Sequence, residues 1–194
     1  MDIRNQFVSA ERALAAVVAQ IKPEQWDVTL PAGMTSKPAT LRETINYQIY
    51  DDAFVPHTLG GETTAEVGDS YAGDLLGADY MASWTSYMEK AITAVEALAD
   101  ADLDRTVHLS YGDFKTREYL EHITLYRAFR IDDLGIFIGA DPTMPADLVQ
   151  GLWDYVTANG EGLRQMGVFG PIVKVPADAP LQDRLLGLAG RQPA

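Results

Sequence analysis

No cysteine occurs anywhere in the chain, histidine occurs three times, and 15 lysines and arginines stand against 28 aspartates and glutamates. Each scarcity excludes something. Without cysteine there is no disulfide framework, no Cys-containing zinc site and no cysteine nucleophile. With a formal net charge of −13, a phosphate backbone would repel the surface, so nucleic acid is not an expected partner. No apolar run approaches the roughly 18 residues of a membrane span, and the opening MDIRNQFVSAER lacks the apolar core of a signal peptide. These features, with the missing cysteines, fit a cytoplasmic protein that does not engage membranes. Its 194 residues suffice for a packed core, and we read them as a single domain over 1–194.

What is present is helical periodicity. Ile3, Phe7, Ala10, Leu14, Val17 and Ile21 recur at steps of three or four, which predicts a helix over 2–21 ended by Lys22-Pro23. DVTLPAGMTSKP (27–38) reads as a loop. Thr40 and Glu43 have capping-box spacing, so a second helix is expected to start there and run toward Pro56 and Gly60-Gly61. Residues 60–78, with five glycines, read as a loop, and a third helix follows over about 79–99. TVHLSYG (106–112) reads as a short strand with its turn. The fourth helix, 115–139, has apolar residues on most sides and is expected to be central. A fifth is expected over 145–166, and PLQDRLLGLAG reads as a closing helix. The architecture that follows is all-α, a four-helix bundle over 1–140 with a C-terminal helical extension over 141–194 and at most a short strand pair.

Most chemical motifs fail on inspection. Asp100, Asp102 and Asp104 suggest a calcium loop, but its glycine and glutamate places hold Arg105 and Tyr111, so a solvated linker is expected. Gly60-Gly61 has neither the strand nor the lysine of a phosphate loop, and no G-x-S-x-G turn is present. His57 reads as a surface or capping residue, and His108 has no evident partner. The fourth helix is more informative. Glu118, His122, Tyr126 and Arg130 recur every four residues and form one slowly turning stripe. Glu118 and His122 can present two ligands to one metal, with Tyr47, Gln48 or Asp51 of the second helix as a third group. The stripe reads equally as a polar seam in which Arg130 pairs with a carboxylate.

TLRETINYQIYDDAFVPHTLGG (40–61), DDLGIFIGAD (132–141) and FGPIVKVPADAPLQDRLLGLAGRQP (169–193) together resemble the mycothiol-dependent maleylpyruvate isomerase family, actinobacterial bundles of the DinB-like superfamily. The resemblance implies a DinB-like four-helix bundle holding one divalent metal, usually zinc, through a second-helix histidine and a Glu-x-x-x-His pair. That metal would keep a low-molecular-weight thiol, mycothiol, as the nucleophilic thiolate. A borrowed thiol would fit a chain with no cysteine. The implied function is a thiol-dependent transferase or isomerase acting on a small electrophile. Aligned on its landmarks, however, the chain departs from the family. The second-helix histidine falls on Tyr47, and with Asp133-Leu134 and Gly139 in register the later pair falls on Tyr126 and Arg130. The other register uses Glu118 and His122, with Asp51 as third ligand. The alternative function is therefore a non-catalytic, metal-free bundle binding a small anionic ligand through Tyr47, Asp51, Tyr126 and Arg130, with Arg130 as its cation. Either a monomer or a homodimer is compatible with this reading.

Overall fold

The structure is a computed structural model and describes residues 1–193. Four long helices make the body: α1 (Ile3–Val18), α2 (Leu41–Gly60), α4 (Tyr80–Glu96) and α5 (Thr116–Ile138), with a single-turn α3 (Thr64–Val67) between α2 and α4. A two-stranded antiparallel hairpin, β1 (Thr106–Leu109) and β2 (Gly112–Lys115), leads into α5. Then come α6 (Ala146–Gln165) and α7 (Leu181–Leu188). The class is thus mostly helical with one short strand pair, as the periodicity implied.

Local chemistry sets the helix starts. Asp2 accepts from the Arg4 amide at 2.9 Å and Asp79 from the Ala82 amide at 3.0 Å, each satisfying a donor that the first turn leaves open. Before α2, the Thr40 amide donates to Glu43 Oε2 at 2.7 Å while the Glu43 amide donates to Thr40 Oγ1 at 3.2 Å, the reciprocal pair expected from the spacing. The same device at Thr63 and Glu66 forms α3 inside the glycine-rich 60–78 segment, where the sequence suggested only loop. Residues 112–115 form β2, the second strand of the pair the sequence allowed, with His108 facing Asp113 across the hairpin at 2.8 Å. Asp100–Asp104 forms a tight 3-10 turn. Arg4 pairs with Asp100, and Asp102 accepts from the Ala99 amide at 2.8 Å, so these acids hold a linker.

The core lies between α1, α2, α4 and α5, where Leu14, Ile45, Ile92, Leu120 and Ile131 are all buried. Each contributes about 1.5–3 kcal/mol by leaving water. α5 buries residues on nearly every side, among them Leu120, Ile123, Ala128, Ile131 and Leu134, in keeping with the central place its sequence suggested. Against this body α6 packs on α1, and α7 packs on α6. The last segment is pinned closely. Gly190 has φ +80°, and a Cβ there would lie 2.7 Å from the Gly170 backbone, so only glycine lets the two strands of tail meet.

Candidate functional site

The centre of the bundle holds a charge. Arg127, on α5, is completely buried, and arginine stays protonated under all ordinary conditions, so its surroundings must supply acceptors. They come from two helices. Nε donates to Glu11 Oε1 of α1 at 2.8 Å. Nη1 donates to Gln48 Oε1 at 2.5 Å. Nη2 donates to the Gln48 carbonyl at 3.0 Å and to Asp52 Oδ1 at 2.5 Å. Asp51 Oδ2 lies 3.7 Å from Nη1, an ionic contact without a hydrogen bond. Glu11, Gln48 and Asp52 are as buried as the arginine. Three carboxylates therefore surround one guanidinium, and Oε2 of Glu11 and Oδ2 of Asp52 are buried without a partner.

That imbalance sets the electrostatics. Burial works against the Arg127 cation, but the charges of Asp52, Glu11 and Asp51 outweigh it and hold the group firmly protonated. Burial likewise pushes Asp52 well above the ordinary carboxylate range, with Arg127 only partly offsetting it. Asp51 is raised to about 6, chiefly by burial and against the pull of Arg127. Its side chain, 23% exposed, is where the cluster reaches solvent.

Three tyrosines feel the Asp51 charge. Tyr47, one turn before Asp51 and 53% exposed, is pushed up to about 12, first by the Asp51 charge and then by burial. Tyr111, at the hairpin tip and 62% exposed, is raised by burial and by Asp51. Tyr119, fully within the core, is raised in the same way. All three phenols are thus neutral near pH 7, and all feel the Asp51 charge. Tyr47 stacks on Tyr50 with ring centres 6.0 Å apart, and Tyr50 contacts Phe54 at 4.7 Å, so an aromatic row continues along α2.

The structure brings Tyr47, Asp51, Tyr126 and Arg130 into one neighbourhood, but not in the roles the sequence suggested. Tyr126 OH accepts from Gln48 Nε2 at 3.0 Å, and two guanidinium groups lie near its ring, Arg130 at 5.1 Å and Arg127 at 5.8 Å from its centre. Arg130 donates to the Met34 carbonyl at 2.6 Å and pairs with Asp133 at 3.4 Å, while Arg191 from the tail pairs with the other Asp133 oxygen. Its Nε is buried and faces no acceptor. The expected anion-holding cation is therefore committed to internal partners, as the polar-seam reading of the stripe supposed.

The expected metal triad does not assemble either. Glu118 accepts from the Lys115 amide at 2.7 Å and so starts α5. His122 sits against the hairpin, its Nδ1 3.4 Å from Tyr111 OH and its ring 5.1 Å from that of Phe114. Burial lowers its pKa, with Glu118 pulling the other way. Among the described residues no three His, Asp or Glu side chains come together as ligands for one ion. At the positions aligned with the family's ligands stand two phenols and a guanidinium, and a permanent cation opposes a divalent ion. The residues present do not fit a zinc site.

Sequence reasoning singled out Tyr47, Asp51, Tyr126 and Arg130 but missed Arg127, Glu11 and Asp52. A signal for Arg127 and Glu11 existed. Ile123, Arg127, Ile131 and Leu134 form one otherwise apolar stripe, and Phe7, Glu11, Leu14 and Val18 another. Single charges of opposite sign set within core stripes on different helices mark a buried pair.

No family model and no curated protein matches the chain. Among solved structures it is similar to a DinB-like protein, YjoA, from Bacillus subtilis, with a TM-score of 0.57 and 14% sequence identity over 75% of this chain and 96% of that one. At that identity the likeness concerns the fold, and the fold is DinB-like. No helix is long and apolar enough to cross a membrane among the described residues.

Proposed function

We propose that the chain is a metal-independent, DinB-like small-molecule-binding protein whose ligand is a small organic cation taken at the Asp51 mouth. The observation that carries this is the excess of carboxylate there. Glu11, Asp51 and Asp52 surround one guanidinium, and the outermost, Asp51, stands one helical turn after Tyr47, its charge raising the phenols of Tyr47 and Tyr111. A partly exposed carboxylate in a tyrosine-rich neighbourhood is the chemistry that recognises an ammonium group, through charge and through the negative faces of aromatic rings. The overall charge of −13 acts in the same direction at longer range.

The thiol-dependent transferase or isomerase implied by the maleylpyruvate isomerase resemblance has less support. Mycothiol chemistry needs the sulfur held as thiolate, and here a second anion would face Asp51 while Arg127 and Arg130 already pair with carboxylates. A small anionic ligand meets the same obstacle, since Arg127 pairs with Asp52 and Arg130 with Asp133, leaving only the buried Arg130 Nε without an acceptor.

Thermal melting with tetramethylammonium and, separately, with succinate tests the proposal. Tetramethylammonium is expected to raise the melting temperature in proportion to occupancy. Asp51→Asn removes that rise and Tyr47→Ala reduces it, while succinate has no effect. A succinate response of equal size, or a tetramethylammonium response that survives Asp51→Asn, overturns the proposal.

A further inference from the structure

A second arrangement of reactive groups lies on another part of α2 and does not depend on the Asp51 reading. His57 sits in the last turn of α2. Gly61, in the left-handed conformation with φ +88°, ends the helix, and the Glu62 amide turns back to donate to the His57 carbonyl at 3.1 Å. This reversal places the Glu62 carboxylate beside the imidazole, Oε2 to Nδ1 at 3.1 Å. On the other side of the ring, Nε2 is 2.8 Å from the hydroxyl of Tyr71. The Tyr71 ring is held edge-on against Phe54 at 5.7 Å and Tyr87 at 6.2 Å. His57, read from the sequence as a surface or capping residue, thus has a partner at each ring nitrogen. A carboxylate only accepts, so Nδ1 carries its proton toward Glu62, and Nε2 of the neutral ring accepts from the Tyr71 hydroxyl. A hydroxyl within reach of a base, which is itself oriented by a third group, is the general form of an activated proton-transfer centre.

His57 and Tyr71 line a cleft of about 710 Å³ between α2 and α4. Its walls include Ala53, Pro56, Ala94 and Ala97, so most of it is apolar, and its size suits a small organic molecule. Two further charges border it. Glu89 is paired with Arg12 at 2.9 Å, whereas Lys90, 5.1 Å above the Tyr87 ring, makes no ion pair among the described residues.

We propose that this cleft binds a small, largely apolar molecule bearing one weakly acidic hydroxyl, a phenol or an enol, and that the Glu62–His57–Tyr71 relay takes up its proton. The ligand O–H donates to the Tyr71 oxygen. As that proton crosses to Tyr71, the proton Tyr71 already carried moves to His57 Nε2. The products are an imidazolium between Glu62 and Tyr71 and a ligand oxyanion in a cleft whose uncommitted cation is Lys90. No atom is lost and no other reactant is needed. The charges also close: imidazolium and lysine face Glu62 and the oxyanion, with Glu89 neutralised by Arg12.

4-Nitrophenol is a suitable probe because its anion absorbs visibly. It is titrated into the full chain at a pH where the free probe is mostly protonated. Wild type is expected to bind saturably and to show a larger ionised fraction bound than free. Tyr71→Phe keeps the ring contacts but loses the oxygen, and weakens binding by about tenfold. His57→Gln keeps a hydrogen-bonding group that cannot take a proton, so binding stays within about threefold while the bound probe remains protonated. No saturable absorbance change in wild type overturns the proposal, and so does equal ionisation in His57→Gln. If Tyr71→Phe fails to fold, the comparison of wild type with His57→Gln still decides.

Discussion

Replacing Arg127 by methionine removes the cation but keeps most of the side-chain volume. It leaves Glu11 and Asp52 fully buried with nothing opposite them, and Gln48 without the guanidinium it accepts from. Breaking a buried pair from one side costs about 3–5 kcal/mol, because the remaining charge stays out of water. Two such charges remain here, so the cost at pH 7 belongs at the upper end of that range, against a total stability on the order of 5–15 kcal/mol. The loss has a pH signature. Asp52 is already pushed up by burial, and replacing Arg127 removes the group that opposes that rise. A carboxyl protonated in the folded chain and ionised in the unfolded chain loses about 1.4 kcal/mol of stability per pH unit of rise. The penalty of Arg127→Met therefore shrinks from pH 7 toward pH 5 to the extent that Arg127 keeps Asp52 ionised in wild type, by at most about 2.7 kcal/mol. Urea denaturation followed by far-UV circular dichroism at pH 5, 6 and 7 reads both numbers. A second variant carrying Glu11→Gln and Asp52→Asn as well should recover most of the loss, since the stranded charges are gone. Unchanged urea midpoints in Arg127→Met, or a penalty identical at pH 5 and pH 7, would refute the reasoning.

Three further outcomes follow from the same physics. Asp51 is raised to about 6 by burial, so the folded chain holds a proton that the unfolded chain releases, and stability falls as pH rises from about 4 to 6; Asp51→Asn should flatten that fall by roughly 2 kcal/mol in urea titrations. Gly190→Ala forces a Cβ to within 2.7 Å of the Gly170 backbone at φ +80°, and should cost about 1–3 kcal/mol and loosen the tail, seen as faster amide exchange in α7. Thr40→Ala removes the hydroxyl that caps α2 and should cost about 1 kcal/mol by thermal melting, whereas Thr40→Ser should be nearly neutral.

How much of the molecule is readable in the sequence depends on the range of the interactions involved. Thr40 and Glu43 are three residues apart, so their capping box is legible as a local pattern. The helical stripes of α1 and α5 are equally plain, because burial there repeats with the helix period. The one-turn α3 is hidden, since its own capping pair, Thr63 and Glu66, sits within a glycine-rich stretch that reads as loop. β2 merges with the expected helix entry, because its four residues are all that separate the hairpin turn from α5. The site is legible only in part. Tyr126 and Arg130 stand out on their stripe, but their roles depend on Gln48, Met34 and Asp133, and Met34 lies 96 residues from Arg130. Arg127 escapes because the four-residue repeat of polar side chains passes it by, and it stands on the apolar stripe instead. The link from His57 to Tyr71 spans a loop that no local pattern predicts.

The central claim is that this DinB-like bundle is organised around an arginine and its carboxylates rather than around a metal. Elemental analysis of protein purified without chelator, paired with melting in added zinc, tests it most directly. Far less than one metal per chain is expected, with a melting temperature that ignores zinc. One zinc per chain that disappears in His122→Ala would contradict it.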